Sequence, residues 1–185
     1  MAHSVSHFMD SPVLIYDDHN NLLTKTTVTG YGRTEMYIEV QKGATDIKPK
    51  TRLQLLIIHS SGVSELSGLL QSVRQGIYEI SIYRERQREG RASNRRTIDA
   101  FAVISDMQAD PTSTELQTPI PIVIRNISAT GVMVRLEDKR LELGTILQIE
   151  LSIGGKEIIL FGEVIREQII DEIIIQYGCQ LHFLD

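Results

Sequence analysis

Pro121-Ile122-Val123-Ile124-Arg125-Asn126-Ile127-Ser128-Ala129-Thr130-Gly131-Val132-Met133-Val134-Arg135-Leu136 reads as strand, turn, strand. Aliphatic residues dominate both flanks. Between them lies a polar hexapeptide, Asn126 to Gly131, whose Asn, Ser and Gly all favour turns. The turn carries an amide, a hydroxyl and exposed backbone. Upstream, Arg84, Arg86, Arg88, Arg91, Arg95 and Arg96 crowd into one short stretch. An amide-and-hydroxyl turn combined with guanidinium groups suits a ligand with both anionic and planar hydrogen-bonding parts, and a guanine nucleotide meets that description.

Working outward, the same strand texture fills nearly the whole chain. Val13 to Tyr16, Leu22 to Thr29, Tyr37 to Val40 and Leu53 to Ile58 are expected strands, with Gly30-Tyr31-Gly32 interrupting the second. Leu66, Leu69, Leu70 and Val73 also recur at helical spacing, so 64–74 admits a helix. A hairpin through Arg74-Gln75-Gly76 is preferred, because Ile77 to Tyr83 alternates with period two and needs a partner. Residues 84–97 are charged, contain Gly90 and lack apolar periodicity, as a linker does. Strands resume at Ile98 to Ile104, followed by a polar loop from Ser105 to Thr118 containing Pro111. Further strands are expected at 120–125, 132–136, 146–153, 156–166 and 173–184, with Gly154-Gly155 as a two-residue hairpin turn. Short strands at regular spacing without crossover helices predict an all-β chain of two small antiparallel β-barrels joined by an arginine-rich linker. The expected divisions are 1–83, 84–97 and 98–185.

Composition narrows the function classes. The chain has 185 residues, 42% of them hydrophobic and 23% charged, with a formal net charge of -5. That balance argues against binding nucleic acid through a broad basic surface, and the clustered arginines suggest a local anion site instead. Trp is absent and aromatic content is 5%, which leaves few platforms for stacking single-stranded bases. Cys179 is the single cysteine, so an intramolecular disulfide is excluded, and its alternating apolar surroundings read as a buried thiol. No apolar run approaches the ~20 residues needed to span a membrane, and MAHSVSHFMD lacks the apolar core of an export signal, so the expected location is cytoplasmic. His3, His7, His19, His59 and His182 show no metal-ligand spacing. No nucleophile, base and orienting group come together, so the chain is not expected to be an enzyme.

The second half resembles the PilZ domain, a six-stranded barrel that binds the bacterial second messenger cyclic di-GMP. Arg91-Ala92-Ser93-Asn94-Arg95 matches that family's RxxxR motif, and Asn126 to Gly131 matches its [D/N]xSxxG motif. Leu143-Gly144-Thr145, Gly162-Glu163-Val164-Ile165-Arg166 and the closing Tyr177-Gly178-Cys179-Gln180-Leu181-His182-Phe183-Leu184-Asp185 are similar to its remaining landmarks. Arg84-Glu85-Arg86-Gln87-Arg88 offers a second RxxxR frame; the 91/95 frame is preferred because it lies nearer the strand at Ile98. The region from about 10 to 83 resembles more loosely the N-terminal barrel of flagellar-brake, YcgR-like proteins.

The resemblance implies a cyclic di-GMP ligand held by Arg91, Arg95, Arg96, Asn126, Ser128 and Gly131, with Arg84, Arg88 and Arg166 as further candidates, and no metal. Arginine suits this ligand because its planar fork pairs bidentately with phosphate and with guanine O6 and N7, and its face stacks on a base. Asn126 and Ser128 would accept from guanine N1–H and N2–H, and Gly131 would let the backbone turn at positive φ. The linker's position implies that nucleotide binding orders it and sets the angle between the barrels. A protein target such as a flagellar motor component is the implied partner. The alternative is a degenerate PilZ module that binds protein and no nucleotide.

Overall fold

The computed structural model describes residues 8–40, 46–59, 62–83, 95–108, 114–137 and 141–182. The chain forms two closed antiparallel barrels of six strands each. The first contains β1 (Pro12–Tyr16), β2 (Leu22–Tyr31), β3 (Glu35–Glu39), β4 (Arg52–His59), β5 (Gly62–Arg74) and β6 (Ile77–Tyr83). Its order is β1-β2-β3-β6-β5-β4, closed by the β1–β4 pairing. The second contains β7 (Arg96–Gln108), β8 (Thr114–Ile127), β9 (Gly131–Glu137), β10 (Ile146–Ile153), β11 (Lys156–Ile169) and β12 (Ile174–His182). Its order is β10-β11-β12-β9-β8-β7, closed by β7 on β10.

In the first barrel, period-two patterning builds the core. Val13 and Ile15 of β1 meet Leu53, Leu55 and Ile57 of β4, along with Val28, Met36, Ile38, Leu70, Tyr78 and Ile80. Residues 64–74 are strand, as the hairpin reading expected. Gln75 and Gly76 both take positive φ (49° and 78°) between the paired Arg74 and Ile77, the primed two-residue turn that fits strand twist. Gly68 suits the close pairing of β5 with β6. A Cβ there would lie 2.5 Å from Ile80 Cγ2, so only glycine lets β5 press this closely on β6. Gly30 and Tyr31 do not break β2. The strand continues through Tyr31, and the irregularity is a bulge at Thr29, where the β3 register shifts between Val28 and Gly30. The polar turn after β1 is closed by Asp17, whose carboxylate accepts from the His19 and Asn21 backbone amides and from Asn21 Nδ2. Those hydrogen bonds, led by the Asn21 side chain, hold its pKa below the ordinary value.

In the second barrel, Ile98, Ala100, Ala102 and Ile104 of β7 point inward with Ile120, Ile122 and Ile124 of β8, Val132, Val134 and Leu136 of β9, and Tyr177, Cys179 and Leu181 of β12. The expected loop from Ser105 to Thr118 is largely strand. β7 runs to Gln108 and β8 begins at Thr114, with Asp106 opposite Glu115 and Met107 opposite Thr114. Pro119 is tolerated because it falls where the ladder shifts between the Ile104–Ile120 and Asp106–Glu115 pairs. Pro111 lies outside the described residues. The Leu143-Gly144-Thr145 turn is pinned to the sheet. Gly144 N donates to Val164 O, Val164 N donates to Thr145 O, and Leu141 N donates to the buried Tyr177 hydroxyl at 2.9 Å. Gly154 and Gly155 (φ 60° and 78°) form the β10–β11 hairpin turn.

Candidate functional site

Strand register determines which of the singled-out residues stand together. Thr97 of β7 lies opposite Asn126 of β8, Asn126 opposite Met133 of β9, Met133 opposite Gly178 of β12, and Gly178 opposite Arg166 of β11. Residues directly opposite in antiparallel strands share a face. Their sequence neighbours Ile98, Ile127, Val132 and Cys179 are buried, so this row lies on the outer face of the second barrel.

Two bulges, at Arg125 and Ile165, put Asn126 and Arg166 on that face, and a third sets the register of Thr97 against Asn126. Ile98 and Asp99 together oppose Arg125, between the Thr97–Asn126 and Ala100–Ile124 pairs. Arg125 is the extra residue between Ile124–Val134 and Asn126–Met133. Ile165 is the extra residue between Val164–Cys179 and Arg166–Gly178. Strict alternation from the buried Ile124 would turn Asn126 inward, and from the buried Val164 it would turn Arg166 inward. The bulges at Arg125 and Ile165 reverse that parity. Asp99 takes φ 44°, a conformation that Asp tolerates, and its carboxylate pairs with Arg125 Nη1 at 2.5 Å.

The turn after Asn126 is internally satisfied. Ser128 N and Ser128 Oγ both donate to Gly131 O, at 2.9 and 3.3 Å, and Ser128 is only 5% exposed. Its hydroxyl is therefore engaged in the turn. Leu181 N donates to Thr130 O, which ties the turn to the closing strand. Gly131 does not take positive φ, contrary to expectation; it is needed for close approach, since a Cβ there would lie 3.0 Å from the Cys179 carbonyl oxygen. Asn126 Nδ2 lies 3.4 Å from Met133 Sδ, a weak contact along the row.

The arginines divide. Arg95 is exposed immediately ahead of β7, next to Arg96, which is partly buried and opposite Ile127 at the end of β8. Both thus sit beside the Asn126–Gly131 turn. Arg84, Arg88 and Arg91 lie outside the described residues. Arg166 is exposed, and its side chain crosses Gly178. A Cβ on Gly178 would meet Arg166 Nε at 2.8 Å and Cγ at 2.9 Å. Gly178 and Met133 received no site role from the sequence reading. Gly178 follows Tyr177 in the closing strand, and a glycine inside a strand is the usual sign of a close approach. Met133 gave no comparable signal. Cys179 faces inward, and burial pushes its thiol up to about 12. Among the described residues, no three His, Cys, Asp or Glu side chains cluster to hold a metal, and no helix is long and apolar enough to cross a membrane.

The PilZ domain matches residues 85–185, more than half of the sequence. The chain belongs to the PilZ domain family. No curated protein matched the sequence. Among solved structures, the chain is similar to K. pneumonia MrkH in complex with c-di-GMP, with 17% identity, TM-score 0.39, and coverage of 95% of this chain and 80% of that one. It is similar to Bacillus subtilis inhibitor of motility (MotI/DgrA) at 15% identity and TM-score 0.38, covering 96% and 90%. It is similar to Escherichia coli YcgR in complex with c-di-GMP at 13% identity and TM-score 0.35, covering 94% and 76%. The row of the PilZ barrel that carries Asn126 and Arg166 thus lies within the matched residues.

Proposed function

We propose that this PilZ chain is a non-enzymatic cyclic di-GMP receptor. The observation that carries the reading is the cross-strand row, which sets Asn126 and Arg166 on one outer face with Arg95 and Arg96 at its end. In this reading Arg95 and Arg96, with Arg91 of the preceding segment, pair with phosphate oxygens or the guanine O6/N7 edge. The Asn126 amide oxygen accepts from guanine N–H. Ser128 and Gly131 act mainly by shaping the turn, so that backbone groups can approach the base. Arg166, lying over Gly178, offers a flat guanidinium for a base to stack on.

The domains would be 1–83 and 98–185, with 84–97 as the arginine-bearing connection. Ligand engaged by that connection would fix the orientation of one barrel against the other and so alter binding of a target protein in the cytoplasm. Motility control through a motor component is the output we favour. The layout of two small barrels, the second a PilZ domain, resembles that of flagellar-brake proteins and supports this choice.

Calorimetric titration of the full chain with cyclic di-GMP, with GTP and cyclic di-AMP as controls, tests the reading. Micromolar or tighter binding of cyclic di-GMP alone is expected. Absence of heat and of any ligand-induced thermal shift would overturn it, leaving a PilZ module that binds protein without nucleotide.

A further inference from the structure

The face that carries the row holds one more guanidinium. Arg135 stands on β9 two residues beyond Met133 and therefore shares its side of the sheet, about 7 Å farther along the strand. Its cross-strand neighbours are Val123 of β8 and Gln176 of β12. Its surroundings are unusual for an arginine. Nη2 donates to Gln176 Oε1 at 3.0 Å, a neutral acceptor, and no carboxylate forms an ion pair with it among the described residues. Nε is buried and has no hydrogen-bond partner there. An arginine has five N–H donors, and leaving one buried and unpaired is costly. Arg125, by contrast, has the Asp99 carboxylate. Asp171 interacts with Arg135 electrostatically from beyond ion-pair distance, and its carboxylate is engaged by its own turn, accepting from the backbone amides of Ile173 and Ile174.

A guanidinium latched by one neutral side chain gains by exchanging that partner for a charged or bidentate acceptor. We infer that Arg135 is a further ligand-contacting residue, parked on Gln176 in the free protein and released to a paired acceptor of the bound dinucleotide. This rests on the cyclic di-GMP reading above. The acceptor is either a guanine O6/N7 edge or a phosphate, and both lie within the one ligand. Gln176 is a positioning residue that sets how readily Arg135 leaves its resting place.

The test is a double-mutant cycle read by calorimetric titration with cyclic di-GMP, with thermal melting to verify folding. Arg135→Gln should weaken binding about tenfold, the loss of one good bidentate pair. Arg135→Lys keeps the charge and loses the fork, so it should not restore wild-type affinity. Gln176→Glu replaces the neutral latch with a carboxylate that holds Arg135, and should weaken binding to a similar degree. In the Arg135→Gln background, Gln176→Glu should then have little further effect. Arg135→Gln binding within twofold of wild type would overturn the inference. So would a Gln176→Glu penalty of equal size in both backgrounds, because that would reflect charge repulsion alone. Failure of the wild-type chain to bind cyclic di-GMP would instead remove the receptor reading, and this inference with it.

Discussion

Arg166 and Gly178 stand directly opposite each other on β11 and β12, and the arginine side chain occupies the space that a Cβ on Gly178 would take. The pair links the glycine of the closing strand to the guanidinium across from it. Neither residue's role follows from its own strand alone.

Gly178→Ala is expected to leave the fold intact and impair the ligand face. The atoms a new Cβ would meet belong to a flexible, exposed side chain, which can swing away. Thermal melting should shift little, while cyclic di-GMP affinity falls several-fold because Arg166 is displaced. Unchanged affinity would separate Arg166 from the site.

Ser128→Ala should act first on stability. The hydroxyl is buried and donates to Gly131 O, and a net intramolecular hydrogen bond contributes about 1 kcal/mol. The PilZ barrel should melt about 4–8 °C lower. Any loss of ligand affinity should be partly recovered by cooling, since the turn's geometry and not a lost contact would be responsible. A variant with wild-type melting and abolished binding would instead show that Ser128 touches ligand.

Asp99 tests the bulge that sets the Thr97–Asn126 register. Its positive φ is tolerated by Asp and free for Gly, while a β-branched residue at that φ costs about 1–2 kcal/mol. Denaturant titration should find Asp99→Val less stable than Asp99→Gly by about that amount, although both lose the ion pair to Arg125.

Cys179 gives a pH prediction. Burial raises its thiol from 9.0 to about 12 in the folded chain. The folded state therefore holds the proton more tightly than the unfolded one. Stability from this source is fully present below pH 9 and is lost as pH rises from 9 toward 12. The native thiol should resist Ellman's reagent at pH 8 and react on unfolding. Rapid reaction in the native state would contradict the inward placement.

Strand existence was largely readable from sequence. Alternation at Ile77 to Tyr83, Ile146 to Ile153 and 132–136 reflects a pleat with one face buried, and Gln75-Gly76 and Gly154-Gly155 provide the positive φ their hairpin turns require. The lengths of β7 and β8 were less readable. Their outer ends, 105–108 and 114–118, show no apolar alternation in the sequence, yet Asp106 pairs with Glu115 and Met107 with Thr114 through the backbone.

The sequence by itself determined the two sets of strands, the tight glycine turns and the motif that places this chain with the PilZ domains, because side-chain period and turn chemistry are local. Only the tertiary structure decided which residues face the ligand side. Bulges at Arg125 and Ile165 reverse the parity that period two would assign to Asn126 and Arg166, and the bulge at Asp99 sets the register that brings Thr97 opposite Asn126. A bulge exists only where one strand must fit another of different count, and that mismatch is a property of the pair and of the closed barrel.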